Sequence, residues 1–321
     1  KYGRTASDYL SGVQSMSQSG FYGTQGEAMA EQSLLAQSAG DMSAEIADKY
    51  ILATNAAYKF NGEAEKLNAV LDGQNSISNQ NSVALEDMAI AMSEAGTVAS
   101  SYNVAIEDFS AMVGTIEAVT KSGGSEVGNS LKSILINLQN VTSSKIIGTL
   151  DKANASMTEF VNGAEKLRNP IEILRDLAKT FNSLDEDDPL RAEILTNVAG
   201  KYQASKLSAL LQNMELFDKM LVDYSEGSGS AMVEAQKSAD NLTGRLNVLQ
   251  NSWNEFVNSI VTSEGLKTGV NFLNGLVQGV TELTSALGSL GTIGLIGGGI
   301  LGAKNAGREK CYPSSNMPVV I

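Results

Sequence analysis

Apolar residues recur along most of this chain at steps of three and four, the spacing that gathers one face of an α-helix. Ile106, Phe109, Met112, Val113, Ile116 and Val119 form one such face, and Val127, Leu131, Ile134, Leu135, Leu138 and Val141 form the next. A third runs through Ile171, Leu174, Leu177, Ala178 and Phe181 and has a clear start signal. Asn169 can cap it, Pro170 takes the first helical position, and Glu172 can close a capping box. Asp188-Pro189 predicts a similar start for a helix around Ile194, after the acidic run at residues 185–188. Clean alternation is absent and β-branched runs are short, so the pattern predicts an all-α, multi-helix protein.

The most sustained pattern follows the Gly227-Ser228-Gly229 break. Met232, Ala235, Ala239, Leu242, Leu246, Leu249, Trp253, Phe256 and Ile260 alternate steps of three and four over four heptads. This a/d pattern predicts a long helix that packs on its own domain or on a partner helix. The flanking positions carry almost no charge, so ion pairing does not encode the partner. Past Gly265 the stripe resumes with Leu266, Val270, Leu273, Val277, Val280 and Leu287, and residues 283–303 hold 21 positions without a charge. That length suits a bilayer's hydrocarbon core at about 1.5 Å per residue. Seven of those residues are Gly, which lowers hydrophobicity and helix propensity. Gly294, Gly298 and Gly302 recur at the four-residue step of close-packed membrane helices. A membrane-inserting segment and a Gly-rich hinge or buried hairpin both remain open.

Elsewhere the composition shifts mark segments. Residues 1–26, rich in Gly and Ser, are expected to be loosely structured, and residues 27–81 to be Ala-rich helix that begins the core. Asn61-Gly62 and Asp72-Gly73 are expected at turns or helix ends, and the polar stretch at residues 74–81 as a linker. Residues 82–263 form the expected core domain, 264–303 the apolar segment and 304–321 a tail. The chain opens on Lys1, so it is expected to be a processed product or part of something longer, and no signal peptide is recognised.

Composition narrows the chemistry. The 321 residues include 23 Lys+Arg against 36 Asp+Glu, a formal charge of −13, which disfavours nucleic-acid binding. There is no His, which removes Ser-His-Asp and Cys-His nucleophiles, imidazole zinc sites and imidazole pH switches. The single Cys, Cys311, excludes an internal disulfide framework. The stretch from Gly123 to Ser130 has the glycine spacing of a phosphate-binding loop, but Asn129 stands where the Lys belongs and no strand precedes it. A helix–helix turn with Ser125 capping the next helix is the expectation there. The acidic run lacks the Gly and terminal Glu of a calcium loop, and Glu107 and Asp108 are adjacent, so they do not define a glycosidase pair. No catalytic residue, cofactor or metal ligand can be nominated, and an enzyme is not expected.

The order of motifs from residue 82 to 263 resembles the core domain of tape measure proteins of long-tailed bacteriophages and prophages. Val83-Ala84-Leu85-Glu86-Asp87-Met88-Ala89 leads to Ala95-Gly96, then Tyr102 to Met112, then Gly124-Ser125-Glu126-Val127-Gly128-Asn129-Ser130-Leu131. Asn169-Pro170-Ile171-Glu172-Ile173-Leu174 follows, with Leu190 to Leu195, Ala204 to Leu211 and Asp240-Asn241-Leu242-Thr243-Gly244-Arg245-Leu246 leading into Trp253. Ala105 departs from the usual capping Ser or Thr at that helix start. The resemblance implies a non-enzymatic virion protein, a helix-rich rod in the tail-tube lumen around which tube subunits assemble and whose length acts as a ruler. It implies tail-tube, tail-chaperone and baseplate or tail-tip partners, a homo-oligomer, and a hydrophobic segment that enters the host membrane during DNA ejection. The net negative charge is consistent with a lumen that must release DNA. The competing reading is a bacterial secreted helical translocator or pore-forming protein, which needs the heptads and apolar segment but not the ordered turn motifs.

Overall fold

The computed structural model describes residues 2–240 and 242–260. Among them are fourteen α-helices and one two-stranded hairpin, so the all-α expectation holds. The chain divides into a unit from Lys1 to Asn247 and a second unit that starts at Val248, of which residues 248–260 are described.

The N-terminus departs from expectation. Instead of a loose segment, Ala6–Gln18 forms α1, started by a capping box in which Thr5 Oγ1 accepts from Asp8 N and Asp8 Oδ2 accepts from Thr5 N. The Ser and Gly content there serves close packing: Gly12 lies against Ala30, and Gly26 against the Phe21 carbonyl. α2 (Gly23–Ala39) and α3 (Ala44–Tyr58) follow, broken at Gly40 and restarted by Ser43, whose hydroxyl accepts from Ile46 N. The Asn61-Gly62 turn is present, with both residues at positive φ.

α4 (Ala64–Asn81) overturns two expectations. The polar stretch at residues 74–81 is no linker but the second half of this helix, and Asp72-Gly73 lies inside it. Gln74, Asn75 and Ser76 are buried. Their polarity is matched by other helices: Gln74 accepts from Tyr50 Oη at 2.8 Å and donates to Ser110 Oγ at 2.9 Å. Buried polar groups survive in a core when they are hydrogen-bonded. Gly73 is required by proximity, since a Cβ there would meet the Tyr224 ring at 2.6 Å.

α6 (Ile106–Thr120) is the central helix, with every residue from Phe109 to Glu117 buried. It packs against α4, α5 (Leu85–Ser101), α7 (Gly124–Leu138), α11 (Ala204–Gln212) and α12 (Met214–Ser225). The predicted faces of α6 and α7 are buried apart from half-buried Ile106 and exposed Val119 at the ends of α6, while the predicted Val141 lies exposed beyond the end of α7. α5 packs closely on α7 and α3. Ser125 does not cap α7. Gly123 is the cap position, and Asp87 of α5 receives Gly124 N at 2.6 Å.

Between α8 (Ser144–Lys152) and α9 (Pro170–Ser183) the chain makes the hairpin β1 (Thr158–Val161) and β2 (Ala164–Leu167), antiparallel with Val161 opposite Ala164. Asn162 and Gly163, both at positive φ, make its two-residue turn. α9 starts as predicted, Asn169 Oδ1 accepting from Ile171 N with Pro170 next, and its predicted face is buried. α10 (Pro189–Ile194) is capped by Asp188 and runs into a π-helical turn, Leu195–Ala199. α13 (Ser230–Asp240) and α14 (Leu242–Ile260) close the described chain.

Two glycines test the close packing. A Cβ at Gly124 would overlap the Asp87 carbonyl, whereas one at Gly148, in α8, meets nothing within 4 Å. Gly124→Ala should therefore destabilise the protein by about 1–3 kcal/mol, and Gly148→Ala should stabilise it by up to about 1 kcal/mol. Thermal denaturation of the two variants checks this, and a Gly124→Ala protein as stable as the parent would contradict the α5–α7 geometry.

Candidate functional site

The heptad stripe begins on a helix that is anchored by its first turn. Asp72 of α4 aims its carboxylate at the start of α13: Oδ2 accepts from Gly229 N at 2.9 Å and Oδ1 from Ala231 N at 3.0 Å. Asn75 Nδ2 donates to Ser230 Oγ at 2.6 Å. A carboxylate at a helix N-terminus satisfies unpaired amides and complements the helix dipole. Gly227 allows this approach, since a Cβ there would lie 2.5 Å from the Asp72 carbonyl.

From this anchor, α13 packs on α2 and α4 with Ala231 and Ala235 buried. At its far end Gly3 nests against Ala239 and Gly244, and Asn247 Nδ2 donates to Gly3 O at 2.7 Å. The buried side of α13 thus uses small residues, which let helices approach. The larger apolar side chains turn outward: Met232 is 37% exposed, Val233 52%, Leu246 43% and Val248 53%. Of the predicted stripe, Ala235 is buried, Ala239 and Leu249 are half-buried, and Met232 and Leu246 face solvent. Leu242, Trp253, Phe256 and Ile260 belong to α14, but their side chains lie outside the described residues. Gly294, Gly298 and Gly302 and the apolar segment also lie outside them. Among the described residues, no helix is long and apolar enough to cross a membrane.

The sequence features that resembled chemical sites are structural. The amide that a phosphate would need at the start of α7 is held by Asp87, and Glu126 in the same first turn pairs with Lys206. Lys206 holds the Glu126 carboxyl below its ordinary value. Asp188 caps α10, and the described residues contain no acidic cluster arranged for a metal. The clefts beside α8 are shallow openings: one is lined by Ser144, Lys145, Gly148, Pro189 and Asn197, the other by Val141, Ile147, Met157 and Leu167. Asp108 is raised above the ordinary carboxylate value by burial and by Glu107, with Arg175 opposing. Burial also pushes up the hydroxyls of Tyr50, Tyr58 and Tyr224.

The hairpin and Glu117 escaped the sequence reading. The hairpin had a signal in Asn162-Gly163. Glu117 had none, because its environment is made by distant residues. Its Oε1 accepts from Ala84 N at 2.7 Å, at the start of α5, while Oε2 is buried without a partner among the described residues. Burial raises its pKa from 4.5 to about 7, Ala84 N lowers it, the Asp87 carboxylate raises it and Lys121 lowers it.

A carboxyl with a raised folded-state pKa binds its proton more tightly when folded, so its contribution is complete below pH 4.5 and is lost as pH rises through about 7. Glu117→Gln keeps an oxygen for Ala84 and removes the titration. The variant should match the parent near pH 4 and exceed it by on the order of 1–3 kcal/mol at pH 8.5. Melting curves across that range check it; a stability difference independent of pH would refute the shift.

No solved structure matches the chain. The family model of phage-related minor tail proteins matches residues 1–200, from the start of the chain through the π-helical turn and short of α11. That match takes in α1 to α10, including the central helix α6. Covering more than half of the 321 residues, it shows that the chain belongs to the phage-related minor tail protein family, structural components of the tail that act alongside other tail proteins.

Proposed function

We propose that the chain is the core portion of a tail tape measure protein: a non-enzymatic scaffold and length ruler in the lumen of the tail tube. The observation that carries this is the pair Met232 and Leu246, two positions of the predicted stripe that are exposed at heptad spacing in a phage tail protein. Exposed apolar residues at a/d positions are costly in isolation and are accounted for when a second helix covers them. In this reading the stripe joins copies of the chain into an oligomer, and the tube subunits, tail chaperone and tail-tip proteins assemble around it. The apolar segment at residues 283–303, with Gly294, Gly298 and Gly302, enters the host membrane when the tail ejects DNA.

The ruler is tested by deleting two heptads, residues 242–255, in the phage or prophage that encodes the chain. If α14 lies along the tail axis, averaged electron micrographs should show tails shortened by up to about 20 Å, from 14 residues at about 1.5 Å each. Intact tails of unchanged length would remove this segment from the measured span.

The oligomer is tested by Leu246→Asp. Because Leu246 is 43% exposed, the variant should keep its helicity and lose at most about 0.5 kcal/mol of stability, while its oligomer mass by light scattering falls. An unchanged mass would discard the stripe as the oligomer contact.

A further inference from the structure

The hairpin is too small to stabilise itself. Two strands of four residues, all exposed or half-exposed, bury no face of their own, and isolated two-stranded hairpins are marginal in water. Phe160 at its centre is 78% exposed. In the register of this hairpin, Val161 with Ala164 and Glu159 with Lys166 are the hydrogen-bonded pairs, continued by Arg168 N donating to Met157 O. The N–H and C=O of Phe160 therefore point away from β2, along the outer edge of β1, and make no hydrogen bond among the described residues. The neighbouring outward groups at Thr158 are already occupied: Ser156 Oγ accepts from Thr158 N and donates to Thr158 O. The edge thus offers one open position, and it carries a large exposed ring.

We propose that this edge pairs with β1 of a second copy of the chain, antiparallel about a two-fold axis through Phe160, making a four-stranded sheet. Charge selects this arrangement. An axis through residue 159 would set Glu159 against Glu159, and pairing β2 with β2 about residue 166 would set Lys166 against Lys166. With the axis at Phe160, Glu159 lies opposite Val161 and the two rings lie side by side, on the sheet face that carries Thr158, Glu165 and Leu167. Two short strands bury far less than the roughly 1,000 Å² that a specific interface needs on its own. The contact therefore forms between copies already joined elsewhere, where effective concentration makes a weak contact count. In that respect the inference rests on the oligomer reading of α13 and α14.

The test uses the full chain with Cys311 replaced by Ser, so that an introduced cysteine is the only thiol. Directly opposed residues of a hydrogen-bonded antiparallel pair have Cα atoms about 5.5 Å apart, within disulfide range. Phe160→Cys should give a disulfide-linked dimer under mild oxidation at least ten times faster than Tyr202→Cys, a control at a site 85% exposed. Adding Leu246→Asp should slow the Phe160→Cys linkage to the control rate. If the chain is oligomeric but Phe160→Cys links no faster than Tyr202→Cys, the hairpin contact is overturned and the oligomer reading stands. If the chain is monomeric at every concentration, both fall. Mixing Glu159→Cys chains with Val161→Cys chains, two positions that this register sets opposite each other, should give a mixed disulfide-linked dimer faster than either variant links with itself; equal rates would overturn the register.

Discussion

The starts of α5, α7 and α13 are held by carboxylates from other helices, and the packing around them depends on that arrangement. α5 and α7 have no capping side chain of their own. Glu117 of α6 takes Ala84 N at the head of α5, Asp87 of α5 takes Gly124 N at the head of α7, and Asp72 of α4 takes two amides at the head of α13. Each bond satisfies amides that a helix leaves unpaired and fixes where one helix begins relative to another. A local cap sets only a boundary; these set tertiary positions. The glycines at 124 and 227 belong to the same device, because a Cβ there would meet the backbone of Asp87 and of Asp72, whereas Gly73 makes room for the Tyr224 ring.

This is also why the sequence was legible in some places and opaque in others. The starts of α9 and α10 were readable because Asn169-Pro170 and Asp188-Pro189 act within a few residues of themselves. The faces of α6, α7 and α9 were readable because burial follows the helical period. Asp72-Gly73 misled because a dipeptide that punctuates turns here serves a contact with Tyr224 and the start of α13, over 150 residues away. The polar run in α4 misled for a related reason: Gln74 and Asn75 are polar toward Tyr50, Ser110 and Ser230, not toward water. Local signals for α1 and the hairpin were present in Thr5-to-Asp8 and Asn162-Gly163, but the surrounding Gly, Ser and charge outweighed them. As for the candidate site, the period placed the stripe but not its phase. Which a/d positions turn inward depends on Asp72, which fixes the rotation of α13.

That rotation divides the stripe's apolar residues by size. Alanines face the body, where close approach favours them, and Met232 and Leu246 face out, where burial by a partner would gain most. Phe160 repeats the division on the hairpin, a large apolar side chain on an element that contributes little to the core. In a chain with 18% charged residues, large apolar groups displayed at these two places are a pattern suited to assembly.

The family assignment and the packing together constrain how such a protein could measure length. A helix advances about 1.5 Å per residue only along its own axis. In the first unit α5 lies along α7 and α3, and α6 is enclosed by five other helices, so many residues share the same span. On the ruler reading, this body would contribute far less axial length than its residue count suggests, and inserting or deleting residues within it would disturb packing before it changed length. Length proportional to sequence requires helix that is single along the axis, and the enclosed helices of the first unit do not meet that condition. The trans-capped bundle then has a different task from the stripe. It fixes the start of α13, where the Asp72 carboxylate holds the amides of Gly229 and Ala231.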